Sequence, residues 1–365
     1  MHRLPIVPLL PAWGVFTLLS AQPPDSIRTF SSPTDSTWIS FSQAVFQPLR
    51  VDTLIKTLWC TAGCGATAPE PDLSPTRELV PGVPFGPFGL WQGAQPRETA
   101  VPFTASQNFT SPRTVIPMIE TARASNQALI LVLTGGSDAK YSSDGAFDLA
   151  KWERQIDQYN TGPIRDAIAA GVADGTVLGN SLMDEPETRK WGGVMTKPLL
   201  DSMAAYAKQY FPTLPMGPSH GPDGYYQWRP NERYQVVDYV LNQYAYGVTK
   251  GDVTQWRDKV LAQAKRDGVA VAFSMNILNG GEPARRDGQW ACPTGTAAGH
   301  GTKDPVCRMT AAQIRDWGTT LGPAGCVMLM WRYDETAMAQ PDNQQAMRDV
   351  AAALARAPSR RCTRS

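Results

Sequence analysis

The chain runs to 365 residues, 42% hydrophobic and 18% charged, enough to bury a large core and too apolar for a disordered polymer. A formal net charge of +1 gives no basic field to gather phosphates, and no Lys/Arg block with interleaved aromatics occurs, which sets nucleic acid aside as a partner. A neutral substrate fits this balance better.

Residues 1–21 read as an export signal: His2 and Arg3 precede an apolar stretch from Leu4 to Leu19, and Ser20 and Ala21 offer a cleavage site. Pro5, Pro8 and Pro11 interrupt that stretch and weaken it as a permanent span, so the expected location is secreted or periplasmic, with no stable membrane span after signal removal. Residues 22–84 form a Pro-rich linker with a small element between Trp38 and Ala66. Six cysteines agree with an oxidising compartment and suggest the pairs Cys60 with Cys64, Cys292 with Cys307 and Cys326 with Cys362. The last pair has a geometric reason, because a strand starting at Cys326 and a helix ending near Pro358 would both lie at the bottom of a barrel.

From residue 85 to 358 apolar runs alternate with amphipathic helical stretches, the pattern of βα units around a parallel sheet buried on both faces. The strands expected are Phe88 to Trp91, Ala128 to Leu133, Thr176 to Met183, Leu214 to Pro218, Val236 to Tyr246, Val269 to Ile277 and Cys326 to Trp331, with an eighth near Ala100 to Thr104. Between them, Pro198 opens one helix, Asp252 caps another that Gly268 ends, and Asp342 caps the last. The fold class is therefore α/β: a (β/α)8 TIM barrel with an N-terminal signal segment and a small Pro-rich extension.

In such a barrel the residues just past each strand share one rim and can be collected into one site. The densest point is Asp184-Glu185-Pro186-Glu187, three carboxylates directly after an apolar strand. The rim also collects Trp91, Asn242, Gln243, Tyr244, Tyr246, Asn276, Trp331, Arg332 and Asp334. Acids can protonate and attack, aromatic faces can pack on pyranose C–H patches and amides can bind hydroxyls, which together suit glycosidic bond cleavage.

Over these residues the chain resembles the glycoside hydrolase (β/α)8 barrels. Asp184-Glu185-Pro186 is similar to the Asn-Glu-Pro ending the fourth strand of clan A glycosidases, a resemblance that implies Glu185 as acid/base. Leu133 to Gly136, Asp238 to Tyr244 and Gly325 to Trp331 look like the third, sixth and eighth strands of chitinase-type family 18 barrels. Two departures matter. Ser274-Met275-Asn276-Ile277 carries no nucleophilic Glu where clan A has one, and the chitinase-type Asp-x-Asp-x-Glu is absent, with Met183 where an acid should stand. The second carboxylate is thus left among Asp184, Glu187, Asp334 and Glu282.

Each residue has a plainer reading. Asp184, Glu187 and Asp334 can serve as helix caps, and a tryptophan such as Trp331 commonly belongs to the core. His220 and Asp223 read as turn residues, and Gly135-Gly136 lacks the fingerprint of a phosphate cradle. The expectation is an exported glycoside hydrolase-like enzyme acting on an oligo- or polysaccharide without metal or cofactor. The alternative is a non-catalytic carbohydrate-binding barrel, and metal-assisted hydrolysis ranks third because histidine ligands are lacking.

Overall fold

The computed structural model describes residues 26–32, 35–40, 81–222, 224–249, 251–286, 289–293 and 306–364. The chain divides between residues 72 and 73. On the N-terminal side, Ser26–Ser32 and Asp35–Ser40 pair as an antiparallel hairpin. The expected pair Cys60 with Cys64 and the turn residue Asp223 lie outside the described residues.

Eight parallel strands make the C-terminal unit: β1 (Phe85–Pro87), β2 (Ala105–Phe109), β3 (Ala128–Val132), β4 (Val177–Asp184), β5 (Met216–His220), β6 (Tyr239–Tyr244), β7 (Ala270–Asn276) and β8 (Met328–Trp331). Each hydrogen-bonds to its sequence neighbour from β2 to β8, and β8 pairs with β1. Thr104 N–H donates to the Phe85 carbonyl (2.8 Å) and Gly89 N–H to the Gln107 carbonyl (2.8 Å), which closes β1 onto β2 and the sheet into a (β/α)8 barrel. That closure needs a glycine at 86, since a Cβ there would lie 1.8 Å from the Ala105 carbonyl oxygen.

Among the described residues seven longer helices flank the barrel: α1 (Val115–Ala124), α2 (Leu149–Asp157), α3 (Gly162–Ala173), α4 (Lys197–Tyr210), α5 (Val253–Asp267), α6 (Ala311–Leu321) and α7 (Pro341–Leu354). Their ends follow local chemistry. Asp252 accepts from Gln255 N–H at the start of α5, Gly268 ends it at φ 65°, and Thr310 with Gln313 forms a capping box on α6. No helix of the described residues is long and apolar enough to cross a membrane.

Strand alternation divides the core. Ala105, Ala128, Ile130, Tyr239, Leu241, Ala272 and Leu329 fill the barrel, while Val240, Tyr244, Phe273 and Met330 pack outward under the helices. Disulfides join Cys292 with Cys307 and Cys326 with Cys362. The second packs with the barrel interior below β8.

Four local expectations change. The second strand is Ala105–Phe109 rather than Ala100 to Thr104: Ser106, Gln107 and Asn108 hide an apolar signal, yet all three are buried. The first strand lies at Phe85–Pro87, and Trp91 enters a separate hairpin with Pro96. Asp342 sits in the first turn of α7, with Gln340 at the cap position and Pro341 fixing the start. His220 is the last residue of β5, not a loop residue.

Candidate active site

β4 ends by turning Glu185 into the left-handed region, φ 45°, where a side chain longer than glycine's is disfavoured. The turn is held by its own backbone. Glu185 N–H donates to the Ser219 carbonyl (2.7 Å), while the Glu185 carbonyl accepts from Thr188 Oγ1 (2.8 Å) and Trp191 Nε1 (3.0 Å). The conformation aims the Glu185 carboxyl over the barrel mouth beside Gly221. A Cβ on Gly221 would stand 3.2 Å from Glu185 Oε1 and 3.1 Å from Glu187 Oε1.

Three carboxylates converge on one ammonium: Lys190 Nζ lies 3.4 Å from Asp138 Oδ2, 3.4 Å from Asp184 Oδ2 and 3.9 Å from Glu185 Oε2. Every pair of these oxygens is thus closer than twice the longest of these distances, which keeps each pair below the upper separation of about 9.5 Å at which glycosidase acid pairs operate. The Lys190 ammonium also lies over Trp191, which stacks on Tyr141, and Tyr141 donates to Asp138 Oδ1 (3.0 Å). Burial pushes the Glu185 carboxyl above its ordinary range, and neighbouring Asp184 adds to the shift against the pull of Lys190. Burial likewise raises Asp184: its side chain is 52% open to water, but protein walls surround it and outweigh the Lys190 contact. For Lys190 burial works the other way, and the carboxylates overcome it to hold the ammonium above its ordinary value.

The mouth around this group has two further surfaces. A polar floor is made by Gln107, which reaches Ser219 Oγ (3.4 Å), by Ser181, which shares a hydrogen bond with Ser219 (3.0 Å), and by Gln243 and Ser274. An aromatic wall is made by Phe88 stacked on Trp331 (4.7 Å) and set edge-on to Phe109 (4.9 Å), a residue 47% exposed. These surfaces enclose two small depressions of about 30 and 50 Å³ that share Asp184, Gln107, Phe88 and Trp331. A depression of that size does not swallow a sugar ring, so a ligand would lie across an open rim. A larger cavity, about 770 Å³ beside Met309 and Pro341, has few groups for acid/base chemistry, and the converging ionisable groups place the candidate site at the mouth.

Of the residues expected at the rim, Asp184, Glu185, Gln243 and Trp331 line the depressions together. Asn276 stands behind Gln243 and donates to its Oε1 (3.1 Å). Glu187 is only 13% exposed and fully engaged, accepting from Gly221 N–H and pairing with His220 Nδ1 (3.0 Å). Asp334 accepts from Ala337 N–H (2.8 Å) as the cap of Glu335–Met338. Asn242 and Tyr244 fall on the helix-facing side of β6, where Tyr244 packs on Trp256 and Trp317 and donates to the Gly251 carbonyl. Tyr246 does not share a strand face with Tyr244; it opens the short helix Tyr246–Thr249. Trp91 is buried outside the depressions, its backbone N–H donating to Asn108 Oδ1, Arg332 is exposed outside them, and Glu282 does not line them.

Asp138, Lys190, Gln107 and Phe109 join the mouth without having been singled out as site residues, and His220, read as a turn residue, joins it from the end of β5. Asp138 and Lys190 lie in connections rather than at strand ends, and Gln107 was hidden by the shifted second strand. A count of charged residues within a few positions of Gly135 and Glu185 would have found the first two. Among the described residues no group of three or more His, Cys, Asp or Glu side chains is arranged to hold a metal ion.

The class defined by fold and rim is a (β/α)8 barrel that gathers carboxylates at the end of its fourth strand. No family model and no curated protein matches the chain. Among solved structures it is similar to a thermostable mutant of a xylanase from Cellvibrio japonicus (12% identity, 76% of this chain and 98% of that one, TM-score 0.45). It is also similar to a glycoside hydrolase family 5 mannosidase from Rhizomucor miehei (8%, 69% and 84%, 0.41) and to D-psicose 3-epimerase from Clostridium cellulolyticum H10 (12%, 74% and 99%, 0.41). At these TM-scores the likeness carries no argument, and the barrel rests on its own strand pairing.

Two substitutions probe the mouth. Gly221→Ala would press on both the Glu185 and Glu187 carboxyls, so turnover is expected to fall about tenfold or more with little change in melting temperature; unchanged kcat would show that the Glu185 position is not critical. Lys190→Met removes the cation that favours ionised Glu185 and Asp184, so both carboxyls should titrate at higher pH. Titration of the two carboxyls followed by NMR is expected to show both midpoints moved upward, and unmoved midpoints would separate Lys190 from their protonation.

Proposed function

We propose that the chain is an exported glycoside hydrolase in which Glu185 donates a proton to the glycosidic oxygen. The observation that carries this reading is the partly buried Glu185 carboxyl, kept protonated to higher pH than usual, beside two further carboxylates and opposite an aromatic wall. Asp184 or Asp138 would serve as the second carboxylate, since both face the mouth, whereas both Glu187 oxygens are committed to His220 and Gly221 and Asp334 caps a helix outside the depressions. The bond from the anomeric carbon to the leaving oxygen breaks as Glu185 protonates that oxygen, and the second carboxylate attacks directly or activates water. Phe109 and Trp331 would take the apolar faces of the sugar, and Gln107 and Gln243 its hydroxyls. The two disulfides and the expected leader support export.

A second reading is a carbohydrate-binding barrel without turnover. It is favoured by Lys190, which ties the three acids as a structural ion cluster would, and by Ser274 and Asn276 at the end of β7. Release of reducing sugar across a polysaccharide panel, compared among the parent, Asp184→Asn and Asp138→Asn, separates the two. Turnover lost in either variant supports the hydrolase, and saturable binding without turnover in all three supports the second reading.

A further inference from the structure

At the opposite end of the barrel from the acid-lined mouth lies a groove of about 330 Å³ between the end of α5 and the C-terminal tail. Its rim carries Lys265, Arg360 and Arg361, all exposed, and no acidic side chain of the described residues lines it. None of these three cations has an ion pair or hydrogen bond among the described residues. The floor is apolar, formed by Leu261, Ala264, Val269 and Val271.

The tail that carries the two arginines is fixed at three points. Ser359 Oγ exchanges hydrogen bonds with Gly82 (3.0 and 2.9 Å), Cys362 is joined to Cys326, and Arg364 donates to the carbonyls of Val237 (2.7 Å), Asp267 (3.0 Å) and Tyr234 (3.3 Å). The anchored backbone leaves only the side chains themselves to be ordered on meeting an anion, and charge complementarity then adds to affinity. The apolar floor adds a surface for the uncharged body of a ligand.

We propose that this groove binds an anionic saccharide, its sulfate, phosphate or carboxylate group set between the guanidinium groups and its ring face on the apolar floor. Arg side chains match such oxyanions through paired N–H donors. Binding here would leave the mouth free, so a polymer chain held at the bottom keeps the barrel near its material while the rim faces outward. The anion-binding part rests on the cations of the groove, and the saccharide body rests on the glycosidase reading above; loss of binding in the groove variants and loss of reducing-sugar release in the mouth variants are read separately.

The test is isothermal titration of the full chain with a heparin hexasaccharide and, separately, with inorganic sulfate and with phosphatidylserine vesicles, at low and at physiological salt. Saturable binding of the hexasaccharide is expected, weakened about tenfold or more in Arg360→Ala/Arg361→Ala and in Lys265→Ala and by added salt. The exposed Arg113→Ala variant should bind as the parent does. Binding of sulfate as well would identify a compact oxyanion cradle, and of the hexasaccharide alone a site that also needs the sugar ring; both support the proposal. Absence of saturable binding, equal affinity in the parent and the folded variants, or binding only to anionic phospholipid vesicles would overturn it. Equal melting temperatures confirm that the variants fold, as expected for side chains without partners.

Discussion

Glu185→Gln is expected to lower kcat by about two to four orders of magnitude while leaving carbohydrate binding intact, because the amide keeps the shape of the acid but has no proton to give. The same substitution is expected to make the protein more stable at neutral pH. Burial raises the Glu185 pKa in the fold, so the folded state favours the protonated form. Its stabilising contribution is complete below the unfolded value, about 4.3, and is lost as pH rises through the higher folded value. Glutamine stays neutral throughout, so the variant should match the parent in acid and exceed it near pH 7, by a modest amount given that 40% of the Glu185 side chain meets solvent. Urea unfolding of both proteins across pH measures this, and reducing-sugar release measures the loss of turnover. A variant with parental kcat would remove Glu185 from the chemistry. Parallel stability curves would remove the strained, desolvated carboxyl from the account. Loss of activity with gain of stability is the signature of a residue placed for function.

Lys197→Met is expected to destabilise the C-terminal unit by about 3–5 kcal/mol, a large part of the roughly 5–15 kcal/mol that folded domains possess. Lys197 and Asp267 are both fully buried and 2.9 Å apart. The ammonium also donates to the Glu232 carbonyl (3.1 Å) and lies over the rings of Tyr225 and Tyr234. Removing it leaves the Asp267 carboxyl with Tyr225 (2.6 Å), Gln263 (3.1 Å) and the more distant Arg233 (3.4 Å), but no buried cation. Because that cost comes from an uncompensated charge, Lys197→Met/Asp267→Asn should recover part of the loss. A single variant within about 1 kcal/mol of the parent, or a double variant worse than the sum, would contradict this account. The consequence reaches the mouth: Tyr225 and Tyr234 back His220, which pairs with Glu187 next to Gly221. The connection carrying those tyrosines is also stapled by Asp201, which accepts from the N–H groups of Gln235, Val236 and Val237.

The parallel architecture was legible because its strands are short apolar runs, such as Ala128–Val132 and Met328–Trp331, buried on both faces and separated by helices with local caps. Period and punctuation are properties of neighbouring residues, so a linear reading captures them. The same reading failed at Ala105–Phe109, whose polar side chains are satisfied by distant partners: Ser106 donates to the Pro87 carbonyl and Gln107 reaches Ser219. Hydrophobic pattern cannot register a hydrogen bond that exists only after closure.

What the sequence by itself determined is the alternation of strand and helix, the carboxylates after the fourth strand, and the cysteine pairs Cys292 with Cys307 and Cys326 with Cys362. What only the tertiary structure decided is which side chains share the mouth. Side-chain direction follows from strand parity, so Gln243 faces inward while Asn242 and Tyr244 turn to the helices. Partners then fix the remaining roles: Glu187 is drawn to His220 and Asp334 to a helix end, while Asp138 and Lys190, from separate loops, meet beside Glu185. Charge and distance act through space, and folding is what places residues far apart in the chain within reach of each other.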